Sequence, residues 1–121
     1  MEHGKSRRTR LAFVTAIALF GAAGSQTIGL AAPAKPNVHV VTIEAMKFSP
    51  QTIEVAEGDS VVWTNKDPFP HTVAAADGSF RSKEIAPNES WKFTARKSGA
   101  VTVTYACTLH PTMTGSVVVR K

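Results

Sequence analysis

From Val38 to Lys121 apolar and polar positions alternate in short runs parted by turn residues, and no stretch repeats with a helical period. VHVVTI (38–43) is the first run. Its apolar phase, Val41 and Ile43, changes parity before Met46 and Phe48. That slip predicts a bulge near Glu44-Ala45 and puts Met46 in the core. QTIEV (51–55) aligns Ile53 with Val55 ahead of the turn Glu57-Gly58-Asp59, and SVVWTN (60–65) aligns Val61 with Trp63. HTVAA (71–75) leads to Asp77-Gly78, and SWKFTA (90–95) aligns Trp91 with Phe93 after Pro87-Asn88. VTVTYAC (101–107) alternates most cleanly, with Val101, Val103, Tyr105 and Cys107 on one face, and SVVVR (116–120) closes the chain. Short strands with regular turns predict an all-β sandwich or barrel.

The start of the chain has a different texture. MEHGKSRRTR carries Lys5, Arg7, Arg8 and Arg10 against Glu2; an apolar run, Leu11 to Ala23, and small residues follow. A basic segment, a short apolar segment and a small-residue cleavage site are the layout of a secretory signal. Cleavage is expected after about Ser25 or after Ala34, making 1–34 signal peptide and linker and 35–121 the domain. The apolar run falls short of the about 20 residues that span a bilayer, so no stable membrane insertion is expected after cleavage. Ser6-Arg7-Arg8 suits twin-arginine export, Arg10 suits it less, and the route stays open between that and the general secretory path.

The leader's four basic residues and one acid account for three of the formal net charge of +5. The weakly basic remainder gives no footprint for nucleic acid. Export also makes the single cysteine informative, because thiols in an oxidising compartment normally pair and Cys107 has no partner in the chain.

YACTLHPTMTG (105–115) sets Cys107, His110 and Met113 at steps of three, which packing on a strand does not explain, and Pro111, Thr112 and Thr114 disfavour a helix. Cys107 ends its strand in phase with the inward face, so His110 and Met113 fall on the loop turning over that pole. His71 follows the stiff segment Asp67-Pro68-Phe69-Pro70 and supplies a second imidazole; His39 and His3 read as bystanders. One thiolate, two imidazoles and one thioether suit neither structural zinc nor an oxygen-seeking cation. They form the ligand set of a mononuclear blue-copper centre, so His71, Cys107, His110 and Met113 are the candidate metal ligands.

CTLHPTM closely resembles the ligand loop of amicyanins, and from about Val38 to Lys121 the chain resembles a cupredoxin. The MKFSP segment, the Gly58-Asp59 turn, the PHTV strand and the closing GSVVV carry the similarity. The resemblance implies an eight-stranded Greek-key β-sandwich holding one copper per chain. It also implies a periplasmic, monomeric one-electron carrier, not an enzyme, serving redox proteins such as a c-type cytochrome or a periplasmic dehydrogenase. The rival is a periplasmic Cu(I) carrier or chaperone on the same fold. It is disfavoured because Met46 and Met113 are the only methionines left once the leader is removed.

Two positions depart from the family pattern. Thr72 stands where Asn is usual after the first histidine, and is expected to bond Thr108 while its N–H serves the thiolate. Leu109 stands where amicyanin loops have proline. Its N–H is expected to give the thiolate a second hydrogen bond and raise the potential.

Overall fold

The computed structural model describes residues 21–25, 29, 35–96 and 99–121. The leader expected over 1–34, His3 included, therefore lies almost wholly outside the described residues. From residue 35 on the chain forms one compact unit of eight strands. These are β1 (Val38–Glu44), β2 (Lys47–Ser49), β3 (Thr52–Ala56), β4 (Ser60–Asn65), β5 (Ala74–Ala75), β6 (Ser90–Thr94), β7 (Val101–Ala106) and β8 (Thr114–Arg120). They make two four-stranded sheets, ordered β2-β1-β4-β6 and β3-β8-β7-β5. Within these sheets β1 runs parallel to β4 and β3 parallel to β8, and the other neighbours are antiparallel.

Alternation along the strands buries one face of each sheet against the other. Val41, Ile43, Phe48, Val61 and Trp63 from the first sheet meet Val55, Val103, Tyr105, Val117 and Val119 from the second in one core. Trp63 lies at its centre, with Tyr105 edge-on at 5.4 Å and Phe80 and Trp91 tilted at 5.7 and 5.6 Å. Tyr105 also meets Phe48 edge-on at 4.8 Å. Opposite Tyr105 on β8 stands Gly115, where a Cβ would collide with the phenol ring, so only glycine lets this ring lie flat on the sheet. Burial pushes the Tyr105 phenol up to about 12; the nearby Trp63 N–H offsets a little of this without forming a hydrogen bond.

The parity slip after Ile43 is not a bulge. β1 and β2 form a two-residue hairpin closed by the pair Glu44↔Lys47, with Ala45 and Met46 at φ of 51° and 60°. This turn reverses the chain and points Met46 outward, so it is 38% exposed and not in the core. Val101, expected inward, is also 38% exposed, at the end of β7 remote from Cys107.

His39 is structural, as the pattern suggested. Its Nε2 lies 2.8 Å from Asp59 Oδ2, and the same carboxylate accepts the N–H groups of Asn37 (2.9 Å) and Ala56 (3.0 Å). The hydrogen bond with His39, then those from Asn37 and Ala56, hold the Asp59 carboxyl at about 2. Its folded-state value is below the ordinary value of about 3.9, so its contribution to stability is complete above that value and is lost as pH falls through about 2. Denaturant titrations of the copper-free protein between pH 5 and 2 should show a steeper acid limb for the wild type than for Asp59→Asn. Identical limbs would show that this carboxylate adds nothing.

Candidate metal centre

Three connections converge at the pole where β7 ends. The first is the segment from β4 to His71, which local hydrogen bonds hold rigid. Asn65, fully buried at the end of β4, donates from Nδ2 to the carbonyls of Phe69 (2.7 Å) and Ile85 (2.9 Å). Its Oδ1 accepts the Asp67 N–H at 2.9 Å. His71 then exchanges two backbone hydrogen bonds with Ile85, at 3.1 and 2.8 Å, and its ring is completely buried.

The run expected as a strand over 71–75 is regular only at Ala74–Ala75. The residues before it have other partners. The Thr72 N–H points to Cys107 Sγ at 3.4 Å, and the Val73 N–H goes to Ser82 Oγ at 2.8 Å. One group that would extend a ladder, the Thr72 N–H, is diverted to the site, and another, the Val73 N–H, to a side chain.

The second connection is the loop between β7 and β8. Cys107 follows β7 directly and is fully buried. Its N–H donates to the Met113 carbonyl at 3.0 Å, and the Met113 N–H donates to the His110 carbonyl at 2.9 Å. These bonds fold residues 107–113 back on themselves, with Met113 buried and His110 half-buried. Thr72 ties this loop to the first connection as expected. Its Oγ1 accepts the Thr108 N–H at 2.8 Å and lies 2.7 Å from Thr108 Oγ1.

The third connection is the β1–β2 hairpin. Asp67 binds it to the site by accepting the Ala45 N–H at 2.7 Å and the Met46 N–H at 3.0 Å, while its Oδ2 stands 2.8 Å from His71 Nε2. Burial raises the Asp67 carboxyl, but the bonds from Met46, His71 and Ala45 outweigh it and hold the group below its usual value. Asp67 was missed as a site residue in the sequence. The available signal was an acid four positions before the candidate histidine.

Of the four expected ligands, the structure brings His71 and Cys107 face to face, with Nδ1 3.8 Å from Sγ. It sets the His110 ring beside that of His71, centroids 5.3 Å apart. Met113 lies buried at the same pole. It lines, with Met46, Phe48 and Thr112, a cavity of about 410 Å³. Among the described residues no three His, Cys, Asp or Glu side chains are drawn into one closed cluster.

The donor set nevertheless fits one soft-to-borderline ion. Nitrogen and sulfur donors bind such ions at about 2.0 and 2.3 Å, so two of them can share one at any separation below about 4.3 Å. The 3.8 Å between Nδ1 and Sγ meets that condition. The remaining donors, an imidazole and a thioether, are those a copper site uses.

Leu109 corrects an expectation. No hydrogen bond from its N–H reaches Sγ; the second donor near the sulfur is the Thr72 hydroxyl, at a long 3.8 Å. The loop's backbone turn is closed instead by the His110 N–H, on the Cys107 carbonyl at 3.3 Å. Leu109 itself is 44% exposed, and Phe69 is 55% exposed. Leu109→Pro, expected from the sequence to lower the potential of a copper-loaded site, should therefore leave it close to the wild-type value in voltammetry. A clear fall would restore the N–H···S account.

The chain also resembles known proteins over most of its length. The sequence model of one family, described as the cupredoxin-like domain, matches residues 11–119. An amicyanin from Paracoccus versutus is 31% identical over 131 residues, covering 94% of this chain and 98% of its own. Amicyanin-alpha from Methylorubrum extorquens is 32% identical over 117 residues, covering 90% and 97%. Among solved structures, a Cu(I) amicyanin with a methionine-to-alanine mutation superposes with a TM-score of 0.62 at 32% identity, over 69% of this chain and 82% of that one. A copper-containing nitrite reductase from Thermus scotoductus has a TM-score of 0.65 at 23% identity, over 73% of this chain and 23% of its own, a likeness of fold alone.

Proposed function

Because this chain belongs to the cupredoxin-like family, we propose that it is an amicyanin-like blue-copper protein carrying single electrons between redox proteins in the periplasm. In this reading residues 1–34 are the export leader and linker, and 35–121 the working domain. His71, Cys107, His110 and Met113 hold one copper. The observation that carries the reading is the buried, face-to-face pair of His71 Nδ1 and Cys107 Sγ, 3.8 Å apart, with the His110 ring alongside.

Copper, when bound there, supplies a Cu(I)/Cu(II) couple that takes up and releases one electron. The chain's own residues keep that exchange cheap. The Thr72 N–H on Sγ withdraws part of the thiolate's negative charge. The ties of Thr72 to Thr108 and of Asn65 to Phe69 and Ile85 lock both ligand-bearing segments before any metal arrives. Little then has to move when the charge changes. His110 is half-buried and Leu109 and Phe69 are exposed; in this reading the imidazole edge passes electrons through an apolar rim that those two side chains form. The partners are redox proteins that dock briefly on this rim, of the c-type cytochrome or periplasmic dehydrogenase kind, and short-lived complexes of this sort bury under about 1,200 Å².

A second reading has one specific observation in its favour. Met46, at the surface and not in the core, shares the cavity of about 410 Å³ with Met113. Two thioethers at one pole suit a Cu(I) carrier better than one. The two readings part in the optical spectrum after one equivalent of Cu(II) is added to the protein. An intense thiolate-to-copper band, giving a blue protein, is expected for the electron carrier. A colourless protein that holds Cu(I) tightly would overturn it in favour of the metal carrier.

A further inference from the structure

Resting on the copper site proposed above, we infer that the Met46 thioether is the entry point for Cu(I): the ion passes from Met46 to Met113 through the cavity that the two side chains share. Two of the four ligands, His71 and Cys107, are completely closed to solvent. That leaves His110, which is half-buried, and Met113, which is 5% exposed but lines a cavity of about 410 Å³. Met46 lines the same cavity at 38% exposure, so it stands at the mouth and Met113 at the floor. From the floor the way on is short. The Cys107 N–H donates to the Met113 carbonyl at 3.0 Å, which sets the thioether residue directly beside the thiolate residue.

The lining selects among ions. Thioethers are soft donors that suit Cu(I). Among the described residues no carboxylate lines the cavity, whose polar side chains are those of Lys47, Gln51, Thr112 and Thr114. Lys47 is cationic, and its repulsion doubles from a monocation to a dication. Cu(I) is therefore admitted here, and Cu(II) is left to the imidazole of His110. Nothing else in the fold accounts for a methionine at position 46. It is outside the core, and its backbone is left-handed, with φ of 60°, in a two-residue hairpin turn where asparagine or glycine is the ordinary residue. A long thioether meets no demand of that turn, but it meets the demand of the cavity. Entry also explains the second thioether at this pole without metal carriage, because Met46 touches the ion on its way in and is no part of the resting site.

The test mixes copper-free protein, without oxygen, with one equivalent of Cu(I) as its acetonitrile complex, and separately with Cu(II). Stopped flow follows the thiolate-to-copper absorption for each ion. Met46→Leu keeps the size of the side chain and the same demand on the backbone, and Met46→Gln keeps its length with a polar end. Cu(I) uptake is expected to be about tenfold slower in both variants, equivalent to about 1.4 kcal/mol on the barrier. Release should slow by the same factor, so that Cu(I) affinity is unchanged, and Cu(II) uptake should keep the wild-type rate. Cu(I) uptake at the wild-type rate in both variants would mean that the ion enters past His110. Equal slowing of Cu(I) and Cu(II) would mean that only the shape of the mouth matters. Weaker Cu(I) affinity with faster release would make Met46 a resident ligand, as the metal-carrier reading requires. Each of these three results overturns the entry role while copper still binds, whereas a wild type that takes up neither ion would sink the copper reading and the entry role together.

Discussion

Trp63→Ala is expected to bring the copper-free protein close to unfolding at ordinary temperature. The indole is completely buried between the two sheets, with Tyr105, Phe80 and Trp91 within 5.7 Å of it, centroid to centroid. Those neighbours come from β7, the segment before residue 81 and β6, which cannot collapse together without breaking strand register. Removing a buried tryptophan of this kind costs about 3–5 kcal/mol, against a total of about 5–15 kcal/mol for a typical domain. In a domain of this size the midpoint should fall by at least about 12 °C. The loss also removes the edge-on support of Tyr105, two residues before Cys107 on the same strand face. Calorimetry on copper-free protein checks it, and a fall under about 4 °C would mean the core repacks freely around the gap.

The second large effect is expected at Cys107. Serine fits the space, and it can still accept the Thr72 N–H that now reaches Sγ at 3.4 Å. It does not supply a thiolate, because a serine hydroxyl stays protonated where a cysteine beside a metal does not. Cys107→Ser should fold with near-wild-type stability when copper-free, yet lose the intense visible absorption entirely. Cu(I) affinity should fall by more than the roughly 10- to 100-fold that changes in outer hydrogen-bond partners bring. Competition with a Cu(I) chelator measures the affinity, and denaturation the fold. Equal affinities for wild type and variant would remove Cys107 from the metal site.

The parts of the fold that were legible in the sequence are those set by local alternation. Along β7 and into the residue that follows it, the buried positions Val103, Tyr105 and Cys107 repeat every second residue, and in β4 Val61 and Trp63 do the same. The all-β class follows from such runs, whereas β2 (Lys47–Ser49) does not, and the count of eight strands comes from the family resemblance. The hairpin at Ala45-Met46 was not legible because its residues argue against it. Both take a backbone shape that glycine and asparagine favour, imposed by a carboxylate 21 and 22 positions away. Reading the parity slip as a bulge sent Met46 into the core, whereas a two-residue turn sends it to solvent.

At the site, the spacing in CTLHPTM and the stiff approach to His71 pointed to one pole, where the structure brings His71, Cys107 and His110 side by side. Asp67 escaped notice because its bonds to Ala45 and Met46 cross the fold, and its place four positions before His71 is a weak signal along the chain. The expected N–H···S bond from Leu109 failed for a similar reason. Which amides face a sulfur depends on how the loop closes, and the bonds among Cys107, His110 and Met113 decide that.

Electron carriage and metal carriage differ in what leaves the protein. The most direct test loads the protein with one equivalent of copper, reduces it, mixes it with an oxidised c-type cytochrome, and then measures protein-bound copper. The proposed function predicts one electron delivered per copper and all of the copper still bound. Copper lost from the protein with no cytochrome reduced would contradict it.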